Sequence, residues 1–155
     1  KVQKEHIGEP LNSSNGLQGL YSPGVGVWES DDDMVMISGE MYHEFVVPYV
    51  SRIFEAFDGG SVHFCGRGVQ HIDNLLSIPK IKVVNTSPMG NFEAFASLKK
   101  GMGNRVVIQI QDGAPLEIET YYAQLFEALD DPNGLILATF IFDTVAMNNA
   151  GLCAG

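Results

Sequence analysis

The stretch GLILATFIF, residues 134–142, is the part of the sequence that bears most directly on the fold. It is a nearly unbroken apolar run of strand length, rich in β-branched and aromatic residues. Strands that are apolar along their whole length are typical of parallel sheets, in which both faces are covered. The run therefore predicts a strand that is buried on both faces.

Upstream of this run, strand-like segments alternate with segments of helical periodicity. The strand-like segments are GVGVW (24–28), GGSVHFC (59–65), IKVVNT (81–86) and RVVIQI (105–110). The first helical segment begins after Ser38. The other three are VQHIDNLLSI (69–78), NFEAFASLKK (91–100) and PLEIETYYAQLFEAL (115–129). Strict alternation predicts an α/β fold with parallel strands and crossover helices. The pattern leaves open whether the sheet is doubly wound or part of a closed barrel.

The helix predicted after Ser38 has apolar residues at intervals of four. They are Met41, Phe45, Tyr49, Ile53 and Phe57. This spacing predicts one amphipathic helix, which Pro48 should bend. Residues 1–20 are rich in Gly, Asn and Ser and predict a loop-like lead-in to a single domain, residues 1–155.

The composition is that of a globular domain with an acidic surface. The 155 residues carry a net charge of −10, from 19 acidic and 9 basic side chains. This charge disfavours nucleic-acid partners and anionic membrane surfaces. No apolar run reaches the roughly 20 residues of a membrane-spanning helix. The two cysteines, Cys65 and Cys153, are too few for a disulfide framework, so we expect a cytoplasmic location.

The polar start KVQKEHIGEP has neither an initiator Met nor the apolar region of a signal peptide. We therefore expect a fragment, a processed chain or a trimmed chain.

His63 and Cys65 are the residues that most directly suggest chemistry. Residues two apart on a strand share a face, so both side chains should project together at the carboxyl end of the strand GGSVHFC. That end of a parallel sheet is where sites are built, and imidazole and thiolate both bind zinc. The alternative is that both are ordinary core side chains before a turn.

The acidic run ESDDD, residues 29–33, follows the first predicted strand at the same edge of the sheet. Glu29, Asp31 and Asp32 are therefore candidates for substrate binding or for an extra metal ligand, and Asp31 and Asp32 could also orient an acceptor substrate or a ligating histidine. The alternative is a solvated loop or the start of a helix.

Two longer segments resemble a known family. VWESDDDMVMISGEMYHEFVVPYVSRIFEAF (27–57) and VHFCGRGVQHIDNLLSIPKIKVVN (62–85) are similar to the uroporphyrinogen decarboxylase superfamily, which includes corrinoid-dependent methyltransferases. The resemblance lies in ISGEMYHEFVVPYVSRI, like a Ser-Pro-Glu helix running into Phe-x-x-Pro-Tyr, and in HFCG, like His-x-Cys-Gly. It covers roughly residues 20–140. It implies the C-terminal half of a TIM barrel, that is, a partial (β/α)8 barrel.

The methyltransferase branch implies further features. His63 and Cys65 would bind a catalytic zinc, and a thiol, the small-molecule methyl acceptor, would exchange a methyl group with a corrinoid on a partner protein. The branch takes another Cys ligand from the last strand, but LATFIFDT has none. Asp143 or Cys153 could replace it.

Two other functions remain open. One is a tetrapyrrole decarboxylase, which the acidic charge and the three arginines of the chain fit poorly. The other is a non-catalytic half-barrel. Whatever the function, half of a barrel would leave a strand edge and apolar surface uncovered, so we expect self-association. We also expect this chain alone to be inactive.

Overall fold

The computed structural model describes residues 2–10, 13–15, 21–113 and 117–140. The strands are β1 (Ser14–Asn15), β2 (Tyr21–Ser22), β3 (Val27–Ser30), β4 (Gly60–His63), β5 (Ile81–Thr86), β6 (Val107–Gly113) and β7 (Leu135–Phe140). The α-helices are α1 (Val2–Ile7), α2 (Gly39–Phe45), α3 (Val47–Ala56), α4 (Ile72–Ser77), α5 (Phe92–Met102) and α6 (Ile118–Ala128). Short 3₁₀ helices cover Asp32–Met36 and Val69–His71.

Strands β3 to β7 form a parallel sheet in which each strand pairs with the next along the chain. Among the described residues the strand order is therefore sequential, with no point at which it reverses. Right-handed crossovers in such an order place the connecting helices on one face of the sheet. The predicted α/β fold with parallel strands is confirmed, and this order is consistent with a partial α/β barrel.

The two faces of the sheet differ in chemistry. Val62, Val84 and Ile108 are aligned across β4, β5 and β6, and all three lie in the core that the helices cover. One position further along each strand, His63, Asn85 and Gln109 are aligned in the same way. Because successive side chains alternate between faces, these polar residues lie on the face opposite the apolar core.

The segment predicted as one helix after Ser38 forms two helices, and its apolar residues four apart do not form the buried face. Met41, Phe45, Tyr49 and Ile53 are exposed, whereas Tyr42, Val47, Val50 and Phe54 are buried. The helical conformation is interrupted at Val46, which ends α2 and precedes α3. Pro48 lies in the first turn of α3, where its missing N–H needs no partner. Both sets of residues are apolar at helical spacing, so packing against the sheet decides which one is buried.

The lead-in predicted as a loop contains the helix α1 and the strand β1, which pairs antiparallel with β2. Helix α1 has no buried residues, so it lacks the apolar face on which the sequence prediction of a helix depends.

None of the helices in the described part of the chain has the length and apolar character needed to cross a membrane.

Strand β7 is less buried than its apolar sequence predicts. Ile136 is 49% exposed and Leu137 is 41% exposed. Within the described residues β7 pairs with β6 on one side alone. The prediction that this strand is buried on both faces is therefore wrong for these two residues.

Candidate metal centre

His63 is the last residue of β4, and the neighbouring strand fixes its ring. The side chain is buried, and its Nδ1–H donates a hydrogen bond to Oδ1 of Asn85 on β5. The amide nitrogen of Asn85 in turn donates to the carbonyl oxygen of Gln109 on β6, at 3.3 Å. This chain of bonds sets the orientation of the amide and leaves Nε2 of His63 as the nitrogen with a free lone pair.

Cys65 lies two residues beyond the end of β4, and its thiol turns back toward the histidine. Its Sγ is 3.5 Å from Nε2 of His63. Its backbone N–H donates to Oδ1 of Asp32 at 2.8 Å, which holds the loop in place. The sequence prediction that His63 and Cys65 converge is confirmed. The convergence arises from this turn, because the strand itself ends at His63.

Asp32 completes a group of three candidate ligands. Its Oδ1 lies 3.5 Å from Nε2 of His63, and single ligand atoms of Asp32, His63 and Cys65 all lie within 4.8 Å of one another. The preceding residue, Asp31, is anchored by its N–H, which donates to the carbonyl oxygen of His63 at 2.8 Å. The backbone therefore brings the start of the first 3₁₀ helix against the end of β4.

Two of the three ligand separations suit a tetrahedral ion, and the third, between Asp32 and Cys65, is at most 4.8 Å. With Zn–S about 2.3 Å and Zn–N or Zn–O about 2.0–2.1 Å, a tetrahedral site has ligand–ligand edges of about 3.4–3.6 Å. The pairs Cys65–His63 and His63–Asp32 both measure 3.5 Å. Two of the three side chains, Asp32 and Cys65, are exposed, so an ion there would be open to solvent on one side.

Without a cation, the site favours the neutral thiol. Burial, followed by the charge of Asp32 and its hydrogen bond, raises the pKa of Cys65. A cation bound here would reverse this effect, because it would stabilise the thiolate and neutralise the carboxylate.

The acidic run divides between two environments. Asp32 joins His63 and Cys65, whereas Glu29 and Asp31 share a buried region with Tyr42. Glu29 Oε2, Asp31 Oδ2 and the Tyr42 hydroxyl are all buried without a hydrogen-bond partner among the described residues. Burial, followed by the charges of Asp31 and Asp32, raises the pKa of Glu29 to about 7. Burial and contact with Asp31 also raise the pKa of Tyr42.

Asp143 and Cys153, proposed from the sequence as replacement ligands, lie outside the described residues. Asn85 is the residue that sequence reasoning missed. Its position near the carboxyl end of IKVVNT, the strand after His63, was the pattern that could have identified it.

Comparison of the chain with protein-family models, curated proteins and solved structures gave no match. The resemblance to the uroporphyrinogen decarboxylase superfamily therefore stays a prediction that rests on the quoted segments.

Proposed function

We propose that this chain is part of a zinc-dependent methyltransferase of the uroporphyrinogen decarboxylase superfamily, which moves a methyl group between a corrinoid and a thiol. The observation that carries the proposal is the convergence of Asp32, His63 and Cys65 at the carboxyl edge of a parallel sheet. The resembling motifs support the choice of reaction. The sequential strand order supports a partial (β/α)8 barrel as the finer description of the fold.

The donor atoms present suit zinc. One imidazole nitrogen, one sulfur and one carboxylate oxygen are ligands that zinc accepts, and three protein ligands leave a fourth position for substrate. Asp32 takes the place for which the sequence suggested Asp143 or Cys153. The bond from His63 to Asn85 is the orienting contact that ligating histidines commonly make.

The residues would favour methyl transfer by holding the acceptor as an anion. A zinc ion at these three side chains would supply positive charge that favours the deprotonated form of an added thiol. The electron pair of the thiol sulfur then forms the new S–C bond to the methyl group. A corrinoid donor would supply the methyl group and keep the electron pair of its Co–C bond, and the thiol proton would leave to solvent. The exposure of Asp32 and Cys65 gives a thiol access to this position.

Metal content tests the site directly. The wild-type chain and the variants Cys65→Ser and Asp32→Asn are dialysed together against dilute zinc, and bound zinc is measured by elemental analysis. We expect about one zinc in the wild type and a large loss in both variants. Asp33→Asn, one residue along the same acidic run, and Cys153→Ser are the matched controls and should keep their zinc. Equal zinc in the wild type and Cys65→Ser would refute the metal site.

Proton release tests the activation of a thiol. Adding 2-mercaptoethanol to the zinc-loaded chain in weak buffer near neutral pH should release protons, because the cation stabilises the thiolate. Cys65→Ser treated in the same way should release none. If the zinc-loaded wild type releases no protons, the metal has a structural role. Methylcobalamin added to the same sample then tests the transfer step, through the change in cobalt absorbance.

A further inference from the structure

A cavity of about 310 Å³ lies between α5 and the loop after β4, and none of the three candidate ligands Asp32, His63 and Cys65 lines it. Residues 66–69 of the loop line one part of it, and Asn91, Phe95 and Leu98 of α5 and its cap line another. Thr86, the last residue of β5, also lines the cavity. Because Thr86 follows Asn85 on the strand, the two side chains point to opposite faces, and only Asn85 faces His63.

Thr86 is a polar residue in the wall of the cavity, and its hydroxyl has a hydrogen bond left to make. The residue is 1% exposed, and its hydroxyl is buried without a hydrogen-bond partner in the described part of the chain. A buried hydroxyl without a partner destabilises the free protein. A ligand that reached this buried hydroxyl from the cavity and accepted its hydrogen bond would remove that penalty.

The polar groups around the cavity favour an anion. Arg67 is exposed at the loop and forms no ion pair within the described residues. Asn91 caps α5 by accepting a hydrogen bond from the N–H of Ala94 at 3.1 Å, so the positive end of the helix dipole lies at the cavity. Of the described residues that line it, none is acidic, and Glu93 of the same turn borders an adjoining hollow that shares Met89 and Asn91 with the cavity. This contrasts with the excess of acids over the whole chain.

The rest of the wall is apolar. Val69, Pro88, Phe95 and Leu98 line the cavity, and Phe95 and Leu98 also belong to the core of the domain. A wall that is mostly apolar with a few converging polar groups is the usual form of a small-molecule site. We propose that this cavity binds a small amphiphilic monoanion, with its acidic group at Arg67 and Thr86 and a short apolar chain against Phe95 and Leu98. This proposal does not depend on the zinc site.

A titration with hexanoate tests the chemical class of the ligand. The full chain is isotope-labelled, freed of metal by a chelator and titrated while amide NMR spectra are recorded. We expect shifts at Gly68, Val69, Ser87 and Ala94, which line the cavity. Hexan-1-ol and hexylamine, of equal chain length, should bind at least about tenfold more weakly, because hydrogen bonds to charged groups are the stronger ones. Equal binding of hexan-1-ol, or no shifts at these residues, would overturn the proposal.

Two variants separate binding from folding. Arg67→Gln should weaken hexanoate by about tenfold and leave hexan-1-ol unchanged. Arg52→Gln, at an exposed arginine on α3, is the control and should bind as the wild type does. Thr86→Val should weaken hexanoate while the melting temperature of the free chain stays equal or rises, because the unpartnered hydroxyl is removed. Full hexanoate affinity in Thr86→Val or in Arg67→Gln would contradict the assigned contacts.

Discussion

His63 donates a hydrogen bond through Nδ1 to the side-chain oxygen of Asn85, its register partner on the adjacent parallel strand. The amide of Asn85 is itself held by the carbonyl oxygen of Gln109 one strand further. Three neighbouring strands thus fix one imidazole ring, with Nε2 turned toward Cys65 and Asp32. A ligand that is oriented before the ion arrives loses little freedom on binding it.

Asn85→Leu should therefore lower zinc affinity, although Asn85 is not itself a proposed zinc ligand. We expect a loss of about 10–100-fold, the usual effect of removing the residue that orients a ligating histidine. The measurement is competition with a chromophoric chelator, with circular dichroism to confirm folding. Asn85→Asp keeps an acceptor for Nδ1–H and should retain most of the affinity. Equal affinity in Asn85→Leu and the wild type would show that His63 needs no such support.

Part of this site could be predicted from the sequence, and the reason is geometric. His63 and Cys65 are two residues apart in the sequence, so their proximity could be predicted locally, although the turn after His63 and not a shared strand face brings the side chains together. The contacts of Asp32 with Cys65 and of Asn85 with His63 join residues 33 and 22 positions apart. They depend on the alignment of neighbouring strands, which no local pattern encodes. The acidic run could be placed at the right edge, but its division between two environments could not.

Helices α2 and α3 show the same limit for packing, and they give a test. Phe54 is fully buried and Tyr49 is 61% exposed, although both lie on apolar stripes of one segment. Phe54→Ala should destabilise the chain by about 3–5 kcal/mol, because it opens a cavity in the core. Tyr49→Ala should change stability by no more than about 0.5 kcal/mol. Urea unfolding measures both, and the reverse order would restore the face expected from the sequence.

Gly26 should tolerate no side chain, for a reason beyond its backbone angle. Its φ is +110°, and a Cβ there would lie 1.7 Å from the carbonyl oxygen of Gly59. Gly90 also has a positive φ, +75°, but a Cβ there would meet nothing within 4 Å. Gly90→Ala should cost about 1 kcal/mol or slightly more for backbone strain. Gly26→Ala should cost clearly more, and similar melting temperatures for the two variants would contradict the close approach.

Glu29 should make stability depend on pH in the neutral range. Its pKa is raised to about 7 by burial and by the charges of Asp31 and Asp32, so the folded state keeps a proton that the unfolded state has already lost. This contribution is present at low pH and is lost as pH rises through about 7. Between about pH 5 and pH 8 the melting temperature of the wild type should fall. The melting temperature of Glu29→Gln should fall less over the same range. Glu55→Gln, at an exposed glutamate of α3, should follow the wild-type profile. An unchanged slope in Glu29→Gln would place the titrating group elsewhere.

The reactivity of Cys65 should report the charge of Asp32. Burial and Asp32 raise the pKa of this thiol, and only the thiolate reacts with iodoacetamide. In metal-free protein near pH 8, Cys65 should therefore react more slowly than a free thiol in solution. Asp32→Asn should speed the reaction roughly severalfold, since it removes the nearby negative charge, whereas Asp33→Asn should not. Mass spectrometry of the peptide that contains Cys65 measures the rate separately from Cys153.

Zinc added beforehand should protect the wild type and leave Asp32→Asn reactive. If Asp32→Asn reacts at the wild-type rate with and without zinc, the carboxylate neither acts on the thiol nor shares a metal with it.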